Sequence, residues 1–201
     1  MESKSGAEKS SGTFKKLWEG YLKPVLIAVI IALIITQVFI FNATVPTGSM
    51  LPTIQEGDRL IGWRLAYLFD DPAQGDIILF HSYEQSNDLY DKVLVKRVVG
   101  IAGDTVRISG GVVYVNDIPI DEPYVVYGSE SDMAELYVPE GCVFVLGDNR
   151  MNSYDGRYWM NPFVRVEDIY ARVVWIYYPK PRIPDAGLEK PEDDGNPLTV
   201  G

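Results

Sequence analysis

A serine stands in the run Thr47-Gly48-Ser49-Met50-Leu51-Pro52-Thr53, and its hydroxyl becomes a nucleophile only when a neighbouring group takes its proton. The chain must supply that base. Histidine is the usual one, but the sequence holds a single histidine, His81, beside polar Ser82 where a strand ends. That position suits a surface residue; a Ser-His-Asp arrangement stays open without support from the spacing. Lysine is the other base, provided desolvation lowers its pKa well below a reference of about 10.4. In Val93-Leu94-Val95-Lys96-Arg97-Val98-Val99 the two-residue period of a strand sets Leu94 and Val98 on the face of Lys96. An ammonium there is flanked by aliphatic side chains, whereas Lys92, Lys180 and Lys190 lie among polar or tail residues. Taken alone, a lysine in an apolar strand is also the pattern of an edge residue that snorkels to water. A third group, Gly147-Asp148-Asn149-Arg150 with Ser153 and Asp155-Gly156-Arg157, follows the apolar run 143–146 and has the density of fixed-geometry groups expected of a site wall.

These residues need a frame. The 201 residues allow one modest domain with appendages, and 47% hydrophobic content is ample for a core. Residues 1–24 read as a flexible polar tail with five lysines (Lys4, Lys9, Lys15, Lys16, Lys23) against three acids. Residues 25–41 are apolar except Thr36 and Gln37 and approach the roughly 20 residues that span a bilayer, so they read as one transmembrane anchor. A buried core helix and a cleaved signal peptide are the competing readings; cleavage after Ala43 would put bulky Phe41 where a small residue is wanted. No Lys or Arg follows the span until Arg59, which predicts the N-terminus inside and the bulk of the chain outside, at the cell membrane. With the +2 of the tail removed from the total of -10, the outer part carries -12, so its contact with membrane lipid must be apolar.

Beyond Asn42 the language changes to short β-branched and aromatic runs bounded by Gly, Pro, Asn and Asp. Strands are predicted at 59–68, 76–80, 93–99, 105–108, 112–115, 143–146 and 171–178, with tight turns at Gly110-Gly111 and Asn116-Asp117. Residues 42–179 therefore read as a mainly β catalytic domain, and 180–201, with four prolines and surplus acid, as a disordered tail. The run 60–69 is apolar with one charge, the composition of a core strand and equally of a segment resting in the lipid interface. Net charge and the lack of a basic, aromatic-interleaved stripe exclude nucleic acid as a partner. Cys142 is the single cysteine, so no intrachain disulfide forms, and with His81 alone no Cys/His zinc cluster assembles. No cofactor or metal is expected, and Cys142, in an apolar run, receives no role.

At this point four spaced motifs acquire a family likeness. Gly48-Ser49-Met50-Leu51-Pro52-Thr53, Gly75-Asp76-Ile77-Ile78, Lys96-Arg97-Val98-Val99-Gly100 with Gly103-Asp104, and Gly147-Asp148-Asn149-Arg150 through Arg157 resemble, in order, the boxes of type I signal peptidases, with that family's anchor ahead of them. The resemblance implies two antiparallel β-sheet regions and cleavage of signal peptides from exported preproteins. It implies Ser49 as the acylated nucleophile, Lys96 as general base, and Thr47 with the Ser49 backbone N–H as oxyanion donors. It makes Ser153 the residue that orients the lysine, Asp155 and Arg157 a supporting ion pair, and Asp148 and Arg150 members of the same wall. Ala43, Val45, Pro46, Met50 and Val95 would bind substrate in shallow pockets that admit only small side chains.

Gly156 stands where the family commonly has serine, and Met160, Asn161 and Ala171 where glycines are usual. Two other readings compete with a preprotein-cleaving enzyme. The same dyad could process the chain itself or a dedicated partner, or the chain could be an anchored β-rich binding module in which Ser49 and Lys96 are incidental.

Overall fold

Seventeen residues rich in Ile, Leu, Val and Ala, with proline in the first turn where its missing N–H does no harm, form helix α1, Lys23–Phe39. A π-helical turn, Trp18–Leu22, precedes it. The computed structural model describes residues 17–85 and 89–184. It comprises two units, Met1–Ile40 and Phe41–Gly201. The continuous helix Trp18–Phe39 has 22 residues and is long and apolar enough to cross a membrane. It ends where Ile40 turns to extended backbone, so Ile40 and Phe41, equally apolar in either state, belong to the strand that follows. Residues 1–16 of the expected tail, and 185–201 of the other, lie outside the described residues.

The second unit is built on antiparallel strands. One sheet has seven, in the order β1-β2-β11-β3-β4-β9-β10: β1 Ile40–Thr44, β2 Arg59–Trp63, β3 Ile77–Ser82, β4 Lys92–Gly100, β9 Cys142–Leu146, β10 Phe163–Arg165 and β11 Ile169–Tyr178. A second sheet has four, β7-β6-β5-β8, from β5 Thr105–Ser109, β6 Val112–Val115, β7 Ile118–Pro119 and β8 Met133–Tyr137. The turns at Gly110-Gly111 and Asn116-Asp117 all carry positive φ, as tight hairpins require.

Both faces of the larger sheet are covered. Along β3, Ile77 and Leu79 join Val45, Met50, Ile54, Leu60, Val173 and Ile176 in one apolar cluster, while Ile78 and Phe80 join Val98, Val143, Val145, Trp159 and Val164 in another. A third cluster, including Val99, Val106, Phe144 and Leu146, binds the smaller sheet to the larger. Each strand of this kind reads as a continuous apolar run because it is buried twice, once by each alternate set of side chains.

The run 60–69 divides. Leu60 and Gly62 lie in the interior of β2, which ends at Trp63; the chain then turns, and Leu68 and Phe69 stand in the open, Phe69 at 88% exposure. Ala171 is buried within β11, whereas Met160 and Asn161 are exposed, so bulk there meets no neighbour that must yield.

Candidate active site

Ser49 follows β1 on a bend pinned at both ends. Met50 and Ile54 are fully buried in the core, and the backbone closes on itself through Leu51 N–H to Gly48 O (3.2 Å) and Ile54 N–H to Met50 O (2.9 Å). Val45 N–H donates to Asp58 O at 2.9 Å, and Gly57 N–H returns to Val45 O at 2.8 Å. Ser49 is left half-buried between these anchors, and Thr47 is exposed. Fixing both flanks leaves the intervening hydroxyl little choice of direction.

Lys96 lies in the middle of β4, opposite Ile78 of β3. It is 4% exposed. Pairing with Ile78 puts it on the sheet face of Val98, Phe80 and Leu94, all members of one apolar cluster or packed against it. The ammonium donates to Ser153 Oγ at 3.0 Å. Burial lowers its pKa from 10.5 to about 8; the Asp155 carboxylate opposes that shift, the Arg157 guanidinium assists it and Asp148 opposes it. A lysine so placed gives up its proton far more readily than one in water.

The third component is the turn 147–157, which leaves β9 beside β4 and closes over both. Asp155 and Arg157 form a buried pair, with Arg157 Nε 2.8 Å from Asp155 Oδ1. Asp155 Oδ2 also accepts from Gly147 N–H (3.0 Å), and Arg157 Nη2 donates to the carbonyls of Arg150 (2.9 Å) and Ser153 (3.3 Å). Gly147 admits no side chain: a Cβ there would stand 2.6 Å from Ser153 Cβ and against Ser153 Oγ and the Ser49 carbonyl. Gly156 is similar, since its Cβ would meet Phe144 at 2.8 Å and the Pro162 carbonyl at 2.9 Å. In this chain there is no room for a serine at that place.

Several residues of the site were not anticipated. Asn149 braces the nucleophile's bend directly: its N–H donates to Ser49 O (3.1 Å) and its side-chain amide to Gly48 O (3.0 Å). Arg97, next to the lysine but on the other face of β4, is fully buried and forks onto Asp148 at 2.8 and 2.7 Å; Thr53 Oγ1 donates to the same carboxylate at 2.5 Å. The Asp148 carboxylate is therefore taken by Arg97, and the Arg150 guanidinium pairs with Glu122. One signal for Arg97 was available, because a cation in the centre of an apolar strand needs a buried carboxylate, and the turn after the apolar run 143–146 offers two.

Ser49 and Lys96 line one cavity of about 890 Å³. Ala43, Val45, Pro46, Thr47 and Val95 line it too, together with Glu56, Asn152 and Tyr154. Met50 is absent from that lining and lies in the core beneath. His81 faces a separate cavity of about 230 Å³, stacked on Tyr83 and 3.0 Å from Asp91 Oδ1. Among the described residues no group of three or more His, Cys, Asp or Glu could hold a metal ion. Burial raises the pKa of the Cys142 thiol, which disfavours the reactive thiolate.

A hydroxyl and a desolvated amine in one cavity, beside backbone N–H groups on a pinned bend, are the parts needed for acyl transfer to serine. The family model described as signal peptidase, peptidase S26, matches residues 18–178. The chain is 38% identical over 175 residues to a signal peptidase I of Leptolyngbya laminosa, covering 85% of this chain and 84% of the relative. It is 34% identical over 158 residues to a signal peptidase I of Bacillus caldolyticus, covering 71% and 82%. Among solved structures it is similar to a signal peptidase I from Enterococcus faecalis V583, with 29% identity and a TM-score of 0.43 over 51% of this chain and 97% of that one.

Proposed function

The chain belongs to the signal peptidase family, peptidase S26, and is a type I enzyme, a serine endopeptidase that removes signal peptides; we propose that it does so with Ser49 as nucleophile and Lys96 as general base. The observation that carries this assignment is a lysine buried in the sheet, its pKa lowered to about 8, lining the same cavity as Ser49. Lys96 takes the proton of Ser49 Oγ as that oxygen attacks the scissile carbonyl. The oxyanion is met by the Ser49 N–H and the Thr47 hydroxyl. Collapse of the tetrahedral intermediate expels the amine, which receives the proton back from Lys96, and leaves an acyl ester on Ser49. Lys96, neutral again, draws a proton from water, and the resulting attack frees the enzyme. Ser153 directs the amine, while the pair Asp155–Arg157 and the residues Asp148 and Arg150 hold the wall in place.

The substrates in this reading are exported preproteins with small residues before the cleavage site. Ala43, Val45, Pro46 and Val95, short side chains on the cavity that Ser49 also lines, support it. Helix Trp18–Phe39 serves as a single-pass anchor in the cell membrane, with the lysine-bearing residues before it inside, the catalytic domain 42–179 outside and 180–201 as an acidic tail. Apolar groups such as Leu68 and Phe69 suit contact with lipid, and the acidic domain repels nucleic acid.

The test is incubation of the detergent-solubilised protein with an exported precursor, followed by sequencing of the new N-terminus. Cleavage after a small residue is expected from the parent, and none from folded Ser49→Ala or Lys96→Ala chains, since the two groups act as one unit. Substantial activity in either variant removes the dyad.

A further inference from the structure

No residue of the second sheet lines the cavity of Ser49 and Lys96. The segment between β7 and β8 nevertheless fastens that sheet to the site wall at four points. The Glu122 carboxylate takes both terminal nitrogens of Arg150, one of them at 2.9 Å. The Tyr124 ring lies 3.9 Å from the Arg97 guanidinium. The Tyr127 carbonyl accepts from Met151 N–H at 3.2 Å, and Ser131 Oγ accepts from Arg157 at 3.3 Å.

We propose that Glu122 and Tyr124 are positioning residues for the peptidase reaction, holding the wall so that Ser153 Oγ stays within reach of the Lys96 ammonium; this rests on the reading of Lys96 as the base. Two arms connect them to it. In the first, Glu122 holds Arg150, whose Nε donates to Gly147 O (3.1 Å) and whose carbonyl receives Arg157, the residue that also donates to the Ser153 carbonyl. In the second, Tyr124 covers Arg97, which forks onto Asp148 beside Gly147. The Tyr124 hydroxyl donates to Glu122 Oε1 at 2.9 Å and joins the arms. Burial, then the Glu122 carboxylate, holds that phenol above its ordinary pKa, so it remains a donor throughout the working range.

Glu122 is the side-chain carboxylate that balances Arg150. The two side chains are 11% and 5% exposed, and a guanidinium stripped of its partner at that depth draws the wall toward water. Neither Glu122 nor Arg150 is among the groups that set the Lys96 pKa directly; burial, Asp155, Arg157 and Asp148 are. Removing Glu122 therefore acts on Lys96 through the packing of the wall: water enters, burial weakens and the amine's pKa rises.

The experiment measures kcat, KM and the pH dependence of precursor cleavage for the full chain in detergent, comparing the parent with Glu122→Ala and Tyr124→Phe. For Glu122→Ala, kcat is expected to fall about 10- to 100-fold, as misplacement by an ångström or less allows, with KM within about twofold. Its rising pH limb moves upward by about half a unit or more. A role confined to stability lowers the melting temperature and leaves the limb where it was in the folded fraction. That result, or an unchanged kcat, overturns the proposal. Should Glu122→Ala fail to fold, Tyr124→Phe, which keeps the ring and removes only the joining hydroxyl, gives the same reading with a smaller displacement. Lys96→Ala is measured alongside: cleavage by that chain removes the base assignment itself, a failure distinct from an unmoved limb in Glu122→Ala.

Discussion

Replacing Val98 by asparagine tests the origin of the lysine's reactivity. Val98 is buried on the Lys96 face of β4, in the cluster of Ile78, Phe80 and Trp159. The amine is held at about 8 against an ordinary 10.5; at 1.36 kcal/mol per unit this amounts to roughly 3 kcal/mol against the ammonium, with burial as the leading cause. In the proposed mechanism the neutral amine is the active form, so activity is expected above this value and is lost as pH falls through it. About one molecule in ten is competent at pH 7, and turnover should rise about tenfold from there to pH 9. An amide at position 98 admits water, and relief of about a third of that cost lifts the limb by on the order of one unit. At pH 7 that is about a tenfold loss, and near pH 10 the two rates converge. The measurement is precursor cleavage against pH at fixed substrate, with circular dichroism at the same temperature, because burying the amide costs about 1–3 kcal/mol of stability. A parent limb near 10.5, or no upward movement in a folded Val98→Asn chain, would refute burial as the cause.

Other outcomes follow from the same geometry. Thr47→Val should slow turnover about 10- to 1000-fold while Thr47→Ser is nearly silent, the range for loss of one oxyanion donor; parental rates from Thr47→Val would leave the backbone as the sole donor. Gly147→Ala, whose methyl has no space between Ser153 and the Ser49 carbonyl, should lose cleavage by about 100-fold or more and 1–3 kcal/mol of stability, read by kinetics and chemical denaturation. Protease added to intact spheroplasts should digest the chain beyond Asn42; protection until lysis would reverse the topology.

What could be read from the sequence was whatever a local period controls. β3 and β9 announce themselves because burial on both faces forces apolar runs, β4 and β11 by their β-branched and aromatic residues, and the two-residue period alone put Lys96 on the side of Leu94 and Val98. Short β1, β7, β8 and β10 carry no such run: β8 is Met-Ala-Glu-Leu-Tyr, and the apolar start of β1 is indistinguishable from the end of the helix before it. The braces of the site were hidden for a different reason. Thr53 meets Asp148 across 95 residues, Arg97 meets it across 51, Glu122 meets Arg150 across 28 and Asn149 reaches Gly48 across 101. No spacing rule links such pairs; the fold alone decides which of several carboxylates a buried guanidinium finds.

The order of the strands also bears on how the enzyme is born. Ser49 is braced by Asn149, 101 residues after Gly48, and Lys96 finds its hydroxyl partner 57 residues downstream. A chain emerging from the ribosome thus presents its apolar helix long before the turn 147–157 that completes the site has been translated. The pairing of β9 with β4, a contact between distant parts of the chain, brings the turn that holds Ser153 to Lys96. The site is therefore complete only once these distant parts of the larger sheet and its turns have come together.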